Sequence, residues 1–309
     1  MAIVIIRQDG KIELWKKALL EHSPGLEVYS YLEDHPKEAI DMALVWKHPN
    51  GALKDYPNLK CIASNGAGVD FIFKDPEGPK ELPITRVVDD KLAQDMSEHV
   101  LAVILSHLKN LDRHKINQMK GIWKPMQYRR ISDFTIGIMG LGALGKVLAE
   151  DLVRFGFKVQ GWANSEKSID SVTCFVGDKG FSSFLTSTQI LVCLLPLTES
   201  TTGILNKNLF QKLPKDAFVI NVARGGHLVD SDLVEMLDNG HLSGAGLDVY
   251  NEEPLPLEHP FWQHTKVHMT PHYASVSDTG SVVPQILENY RRLQANDSLL
   301  NLVLKDRGY

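Results

Sequence analysis

The sequence predicts an α/β fold in two domains, each built on a parallel sheet, and three observations carry that reading. Its 309 residues are more than one core of ordinary size holds. Short apolar runs alternate with amphipathic stretches: "IVII" is followed by Ile12, Trp15 and Leu19 at helical spacing, then by "MALVW", "LKCIAS" and "ITRVV". Alternation of this kind implies βαβ units, hence parallel strands covered by helices. From Phe134 the alternation starts again, so the two halves repeat an architecture without repeating a sequence.

Between the halves, "DDKLAQDMSEHVLAVILSHLKNLDRHKINQMK" changes to a helical period, with Val100, Ile104, Leu108 and Leu111 along one face. A helix that long can bridge two domains. In the second half "FTIGIM", "FKVQGW", "QILVCLL", "AFVINVA", "LSGAGLDV" and "KVHMT" read as strands. "KVLAEDLVRF" and "SDLVEMLDNG" read as helices, the latter with Gly240 as its C-cap. A last helix, "SVVPQILENYRRLQA", returns to the first domain, and its Pro284 should start or kink it. The expected division is residues 1–98 plus 285–309 as a substrate-binding domain and 99–284 as a dinucleotide-binding domain.

Composition excludes several classes of function. A formal charge of -5 and the lack of a long basic block give no general attraction for nucleic acid or an acidic membrane. No apolar run reaches spanning length, and the N-terminal run is too short for a signal peptide. Cys61, Cys174 and Cys193 are odd in number and scattered, which fits buried thiols in a reducing cytoplasm rather than a disulfide framework. His264 and His268 have the separation of a helical ligand pair, but they stand in a proline-bounded, β-branched segment, so no metal is expected.

In "TIGIMGLGALGK" the glycines Gly140, Gly142 and Gly145 form GxGxxG between a strand and a helix. Glycine permits the tight turn, and the free N–H groups at the helix start, from Ala143 and Leu144 on, can hold a pyrophosphate. Sites that prefer NAD end the following strand with an acid on the ribose 2′-OH. That place holds Ala163 here, followed by Asn164, Ser165 and Lys167. Without the carboxylate a 2′-phosphate meets no repulsion there, and Lys167 can pair with it. NADP(H) is therefore favoured, with NAD(H) as the alternative.

Three further segments follow strands of the second half: "INVARGG" with Arg224, "GLDVYNEEPLP" with Asp248 and Glu253, and "MTPHYAS" with His272. In an open α/β sheet the ligand crevice lies outside the carboxyl ends of the strands, so all three segments deliver polar groups to one rim. With "NGAGVD", "FTIGIMGLGALG", "LLPLTEST" and the terminal "DRGY", these motifs span nearly the whole chain. Together they resemble the D-2-hydroxyacid dehydrogenases, most closely the bacterial glyoxylate/hydroxypyruvate reductase A branch.

The resemblance implies two Rossmann-like/flavodoxin-like domains with the active site in the cleft between them, and a homodimer. The family's arginine, glutamate and histidine fall on Arg224, Glu253 and His272, and its nicotinamide-contacting aspartate falls on Asp248. Leu195, Pro196, Val222 and Ala223 fall among its cofactor contacts. Ala67 and Gly68 stand where a loop offers N–H groups to the substrate carboxylate. Trp46 stands where a residue walls a small substrate pocket, and Trp123 near the dimer arm. The chain departs from that branch at Asn164 and Glu166, where arginines are expected, and at Tyr273, where an aliphatic residue is more usual.

Chemistry accounts for these residue types. A 2-oxo acid has a carboxylate to anchor and a carbonyl to polarise, and the donor fork of Arg224 reaches both. Hydride arriving from the nicotinamide builds charge on the carbonyl oxygen, which His272 relieves as general acid. Glu253 against the other ring nitrogen would fix the tautomer and favour the imidazolium. The expected reaction is reduction of glyoxylate, hydroxypyruvate or another short 2-oxo acid. A dehydrogenase for a bulkier 2-hydroxy acid and a non-catalytic dinucleotide-sensing protein are the competing readings.

Overall fold

A computed structural model describes residues 2–305 and 308–309; of the terminal "DRGY", Asp306 and Arg307 lie outside the described residues. The chain packs into two compact units, Met1–Leu92 with Ser277–Tyr309, and Ala93–Val276. Both divisions fall earlier in the chain than 98/99 and 284/285. The reason is packing: Met96 already shares a core with Ile136 and Ile138, and Val282 and Val283 share one with Ile3.

In the first unit β1 (Ala2–Arg7), β2 (Glu27–Ser30), β3 (Ile40–Trp46), β4 (Cys61–Ser64) and β5 (Ile84–Thr85) form a parallel sheet in the order β2-β1-β3-β4-β5. Every residue of β1 is buried, because both faces of the sheet are covered. Ile3 and Ile5 pack under Trp15 and Leu19 of the helix Ile12–His22 and under Ile286 of the helix Thr279–Ala295. Val4 and Ile6 face Leu53, Tyr56, Val69 and Ile72 on the other side. Asp278 caps the last helix through Ser281 N–H at 3.0 Å, so the helix starts there and Pro284 lies inside it rather than at its start.

The second unit holds a seven-stranded parallel sheet of β6 (Thr135–Met139), β7 (Lys158–Ala163), β8 (Val172–Val176), β9 (Ile190–Cys193), β10 (Ala217–Asn221), β11 (Leu242–Leu247) and β12 (Val267–Met269). The order is β12-β11-β10-β9-β6-β7-β8. On one face Ile136, Ile138, Val192 and Ile220 meet Val100, Ile104 and Leu108 of the helix Asp90–Leu108 and Leu148 and Leu152 of the helix Ala143–Arg154. On the other, Met139, Leu191 and Val219 meet Phe184, Leu185, Phe210, Leu233 and Leu237. The helix Asp230–Asp238 closes with Gly240 at a φ of 74°, in the left-handed region a C-cap glycine supplies.

The single long helix expected before Phe134 is two. Asn110 turns left-handed at a φ of 55°, and a second helix runs over Leu111–Met119. Leu111 consequently leaves the buried face and is 55% exposed. Two strands not singled out from the sequence, β2 and β8, form sheet edges, where one neighbouring strand suffices; β8 has no buried residue. His264 and His268 take separate partners, Asp238 at 3.3 Å and Asp112 at 3.1 Å. No helix among the described residues is long and apolar enough to cross a membrane.

One half-buried group makes this unit sensitive to acid. The His107 ring stacks on Phe218 with centroids 4.0 Å apart, and burial, with the nearby positive charge of Arg129, pushes its pKa down to about 4. The unfolded chain then takes up the proton first, near the ordinary ~6.5. Stability is intact above that value and falls by up to about 3 kcal/mol as pH drops from ~6.5 towards 4. Replacing His107 with Gln removes this titration, so the decline of Tm between pH 6.5 and 4 becomes shallower. An unchanged slope in thermal melts across that window would contradict the assignment.

Candidate active site

Strand pairing in the second unit sets Trp162, Met139, Cys193, Asn221, Leu247 and Met269 side by side across β7, β6, β9, β10, β11 and β12. The strands are parallel, so every segment leaving this rank emerges at the same edge. These segments are the glycine turn from Gly140, the stretch Leu194–Pro196, Val222 to Arg224, Asp248 onward, and Thr270 to His272. That common edge is where an open α/β sheet binds its ligand.

The glycine turn fits a dinucleotide by shape. Gly140 has a φ of 103°, donates its N–H to the Trp162 carbonyl at 2.9 Å, and would drive a Cβ to 2.7 Å from the Leu194 carbonyl oxygen. A Cβ on Gly145 would stand 1.9 Å from the Gly140 oxygen, so this glycine lets the helix start pack on the turn. Gly142 differs, because a Cβ there would meet nothing within 4 Å. It leaves open space beside the exposed Ala143 and the half-buried Leu144, whose N–H groups begin the helix with no side-chain cap. A phosphate can approach the backbone there and complete the helix start. Leu195, Val222 and Ala223 are buried along the same edge, and the Pro196 carbonyl accepts from Thr201 Oγ1 at 2.7 Å. Ala163 closes β7 with no carboxylate, and Asn164, Ser165, Glu166 and Lys167 behind it are exposed.

Arg224 follows β10 in extended conformation, and its Nη1 donates to the Ala223 carbonyl at 2.7 Å, which orients the guanidinium fork. Its neighbour Gly225 is held to glycine by close approach: a Cβ would lie 1.9 Å from the Tyr250 carbonyl carbon. The segments after β10 and β11 are thereby locked backbone to backbone. Glu253 and His272 meet as expected, with Oε2 on Nδ1 at 2.7 Å, both side chains about one-quarter exposed or less at 20% and 26%. Glu253 Oε1 accepts from Tyr250 N–H at 3.1 Å, so the carboxylate is held from both oxygens. With Nδ1 engaged, the proton that can leave sits on Nε2, which bonds to no described residue.

Asp248 does more here than the resemblance assigns it. Its carboxylate is buried at 2% exposure and accepts from Thr270 Oγ1 at 2.6 Å, Tyr273 N–H at 2.9 Å and Ala274 N–H at 3.0 Å. Its carbonyl accepts from His272 N–H at 2.8 Å. His272 is thus pinned at a φ of 52°, a left-handed conformation that costs a non-glycine residue on the order of 1 kcal/mol and needs such over-determination. Tyr250 adds a hydroxyl within 3.0 Å of the Thr270 carbonyl, and burial pushes its pKa up, so it remains a donor. His99 meets Tyr273 edge-on at 6.1 Å, and burial lowers its pKa against the opposing charge of Asp248. Thr270, Tyr250 and Gly225 were not among the residues the sequence singled out. The paired glycines of "ARGG" were the one available signal.

Trp46, Ala67 and Gly68 belong to the first unit. Trp46 ends β3 and lies on the loop after β4, where a Cβ on Gly66 would come within 2.6 Å of the indole. Ser64 Oγ donates to the Gly68 carbonyl at 2.8 Å, and neither the Ala67 nor the Gly68 N–H donates to a described residue.

Comparison with known proteins agrees with this geometry. Residues 101–274 match the model of the D-isomer specific 2-hydroxyacid dehydrogenase NAD binding domain. Glyoxylate/hydroxypyruvate reductase A of Yersinia enterocolitica is 36% identical over 314 residues, covering 100% of both chains. The crystal structure of a D-isomer specific 2-hydroxyacid dehydrogenase from Xanthobacter autotrophicus, in complex with NADPH and MES, superposes with a TM-score of 0.94 at 37% identity, covering 100% of this chain and 99% of that one. An NADPH-dependent glyoxylate/hydroxypyruvate reductase from Sinorhizobium meliloti, in complex with NADP and sulfate, gives 0.93 at 36% identity with 100% of both chains covered. With the glycine turn, Arg224, and the Glu253–His272 pair on one sheet edge, the chain belongs to the D-isomer specific 2-hydroxyacid dehydrogenase family.

Proposed function

We propose that the protein reduces a short 2-oxo acid, glyoxylate or hydroxypyruvate, to the 2-hydroxy acid with NADPH. The observation that carries the reading is the Glu253–His272 pair, 2.7 Å apart at the sheet edge that also bears the glycine turn. When bound, the dinucleotide supplies a hydride to the carbonyl carbon of the substrate. Gly140, Gly142, Ala143, Leu144 and Gly145 would hold its pyrophosphate; Asn164, Ser165 and Lys167 its ribose and 2′-phosphate; Leu195, Pro196, Val222, Ala223 and Asp248 the remainder.

Arg224 anchors the substrate carboxylate and polarises the carbonyl, since a planar fork of donors can address two oxygens at once. His272 gives the Nε2 proton to the carbonyl oxygen as charge develops there, and Glu253 stabilises the imidazolium that this requires. On the first unit, Ala67 and Gly68 present backbone N–H groups suited to a carboxylate, and Trp46 stands beside them against Gly66. The NADP(H)-bound relatives support the choice of cofactor, as does the absence of an acid at Ala163.

The segment from Leu111 to Tyr128 supports a homodimer. Leu111, Met119, Ile122, Trp123 and Tyr128 are all exposed, with Trp123 at 99%, and so dense an apolar display marks an association surface. Three free cysteines, with the Cys61 and Cys193 thiols pushed up to about 12 by burial, suit the cytoplasm.

Oxidation of NADPH and NADH, followed with glyoxylate, hydroxypyruvate and phenylpyruvate, tests the assignment directly. The short acids and NADPH should be preferred, and Lys167→Ala should weaken NADPH use severalfold while leaving NADH use unchanged. Preference for phenylpyruvate would favour the bulkier-acid reading, and dinucleotide binding without turnover of any 2-oxo acid would favour the sensor. His272→Gln should lower kcat by ~10²–10⁴-fold. Glu253→Gln, which takes the carboxylate from Nδ1, should also lower kcat with the Kd for NADPH unchanged, and a wild-type kcat in that variant counts against the pair. Trp123→Glu should convert a dimer to a monomer in sedimentation experiments, and an unaltered sedimentation coefficient counts against that interface.

A further inference from the structure

The first unit buries an ionisable pair that the proposed reaction does not use. His48 Nε2 and Asp75 Oδ2 lie 3.2 Å apart, with both side chains shielded from solvent. Asp75 also accepts from Gly51 N–H at 3.0 Å and Glu77 N–H at 3.0 Å, so the carboxylate ties together the turns after β3 and after the short helix Asp70–Phe73. Among the described residues His48 Nδ1 is buried without a partner. An unpaired buried acceptor is a cost, and a hydrocarbon side chain would fill the same space without it.

Contacts continue from this pair in one direction. The His48 ring meets Phe71 edge-on at 5.7 Å, and Phe71 meets Trp46 edge-on at 5.6 Å. Trp46 in turn lies on Gly66, at the front of the loop that carries the Ala67 and Gly68 N–H groups. Behind that loop Asn65 N–H is fixed to the Val45 carbonyl at 3.0 Å, and Val87 N–H to the Gly66 carbonyl at 3.0 Å. The backbone is held from behind by β3 and by the segment that follows β5, and its open side is held by the indole.

We infer that His48 and Asp75 are positioning residues that, through Phe71 and Trp46, hold the Gly66–Gly68 loop in the shape that receives the substrate carboxylate. This rests on the reading of that loop given under the proposed function. A polar pair serves here because its hydrogen bond fixes the rotation of the imidazole, whereas a hydrocarbon in the same space could turn. Edge-on ring contacts carry that orientation onward, since each ring offers its neighbour a defined face. Burial holds the His48 pKa below its ordinary value, against the pull of Asp75, which suits a neutral ring donating from Nε2.

The test compares the wild type with His48→Phe, which keeps an aromatic ring and removes both nitrogens, and with His48→Gln, which restores a donor to Asp75. In His48→Phe the KM for glyoxylate should rise about tenfold, the equivalent of one lost hydrogen bond, with kcat and the Kd for NADPH little changed. Amide hydrogen exchange over residues 65–71 should accelerate by about the same factor. His48→Gln should recover much of both effects. Unchanged exchange in His48→Phe, or a KM that rises only together with losses in kcat and NADPH affinity, overturns the inference. If His48→Phe does not fold, Gly66→Ala carries the test: its methyl displaces the indole, and KM and loop exchange should rise while the His48–Asp75 pair stays in place. Failure of either to rise overturns it equally. Exchange is read without turnover, so wild-type inactivity towards every 2-oxo acid would count against the reductase assignment and leave the exchange result to judge the pair.

Discussion

The candidate site depends on register. Six strands of the second unit reach one level rank at or next to their ends, from Trp162 through Met139, Cys193, Asn221 and Leu247 to Met269, because parallel pairing aligns them residue by residue. A slip of one residue in any strand would turn its side chains to the opposite face of the sheet. Burial on both faces forbids that slip, since Ile138, Val192 and Ile220 must meet one layer of helices and Met139, Leu191 and Val219 the other. Core packing therefore sets the height at which the glycine turn, Arg224, Asp248 and His272 leave the sheet.

Much of this was legible in the sequence, and the reason is that some constraints are recorded in residue type. The roles of Gly140 and Gly145 could be read because only glycine tolerates a φ of 103° or an approach of 1.9 Å to a carbonyl oxygen. Central strands could be read because burial on two faces demands an unbroken apolar run. The pairing of Glu253 with His272 was expected through family motifs. The edge strands β2 and β8 were missed because an edge makes no such demand on composition. The helix break at Asn110 was missed because asparagine is tolerated in a helix and in the left-handed region alike, so its identity does not decide between them.

The fuller role of Asp248 was hidden for a related reason. Its acceptors face the N–H groups of Tyr273 and Ala274, and a backbone donor leaves no trace in the identity of the residue that supplies it. Nor does sequence report that His272 is left-handed, since the conformation is imposed by bonds to Asp248 and Thr270 rather than chosen by histidine.

Asp248 and Asp75 solve the same problem in different units. Each is a buried carboxylate close behind a strand or a short helix, and each accepts two backbone N–H groups and one side-chain donor: Thr270 for Asp248, His48 for Asp75. A carboxylate carries about four lone-pair sites in a small volume, more acceptor capacity than any neutral side chain of its size. Desolvating the charge is expensive, and charge-assisted bonds from backbone donors offset that cost only while the loop keeps its shape. Departure from that shape strands a buried charge, so the loop's conformation becomes steeply favoured over its neighbours. A loop tied this way can display a reactive or binding group at a surface with little side-chain packing of its own. At Asp248 the displayed group is the imidazole of His272. At Asp75 the same physics leads, one ring at a time, to the indole of Trp46 and the backbone it rests on.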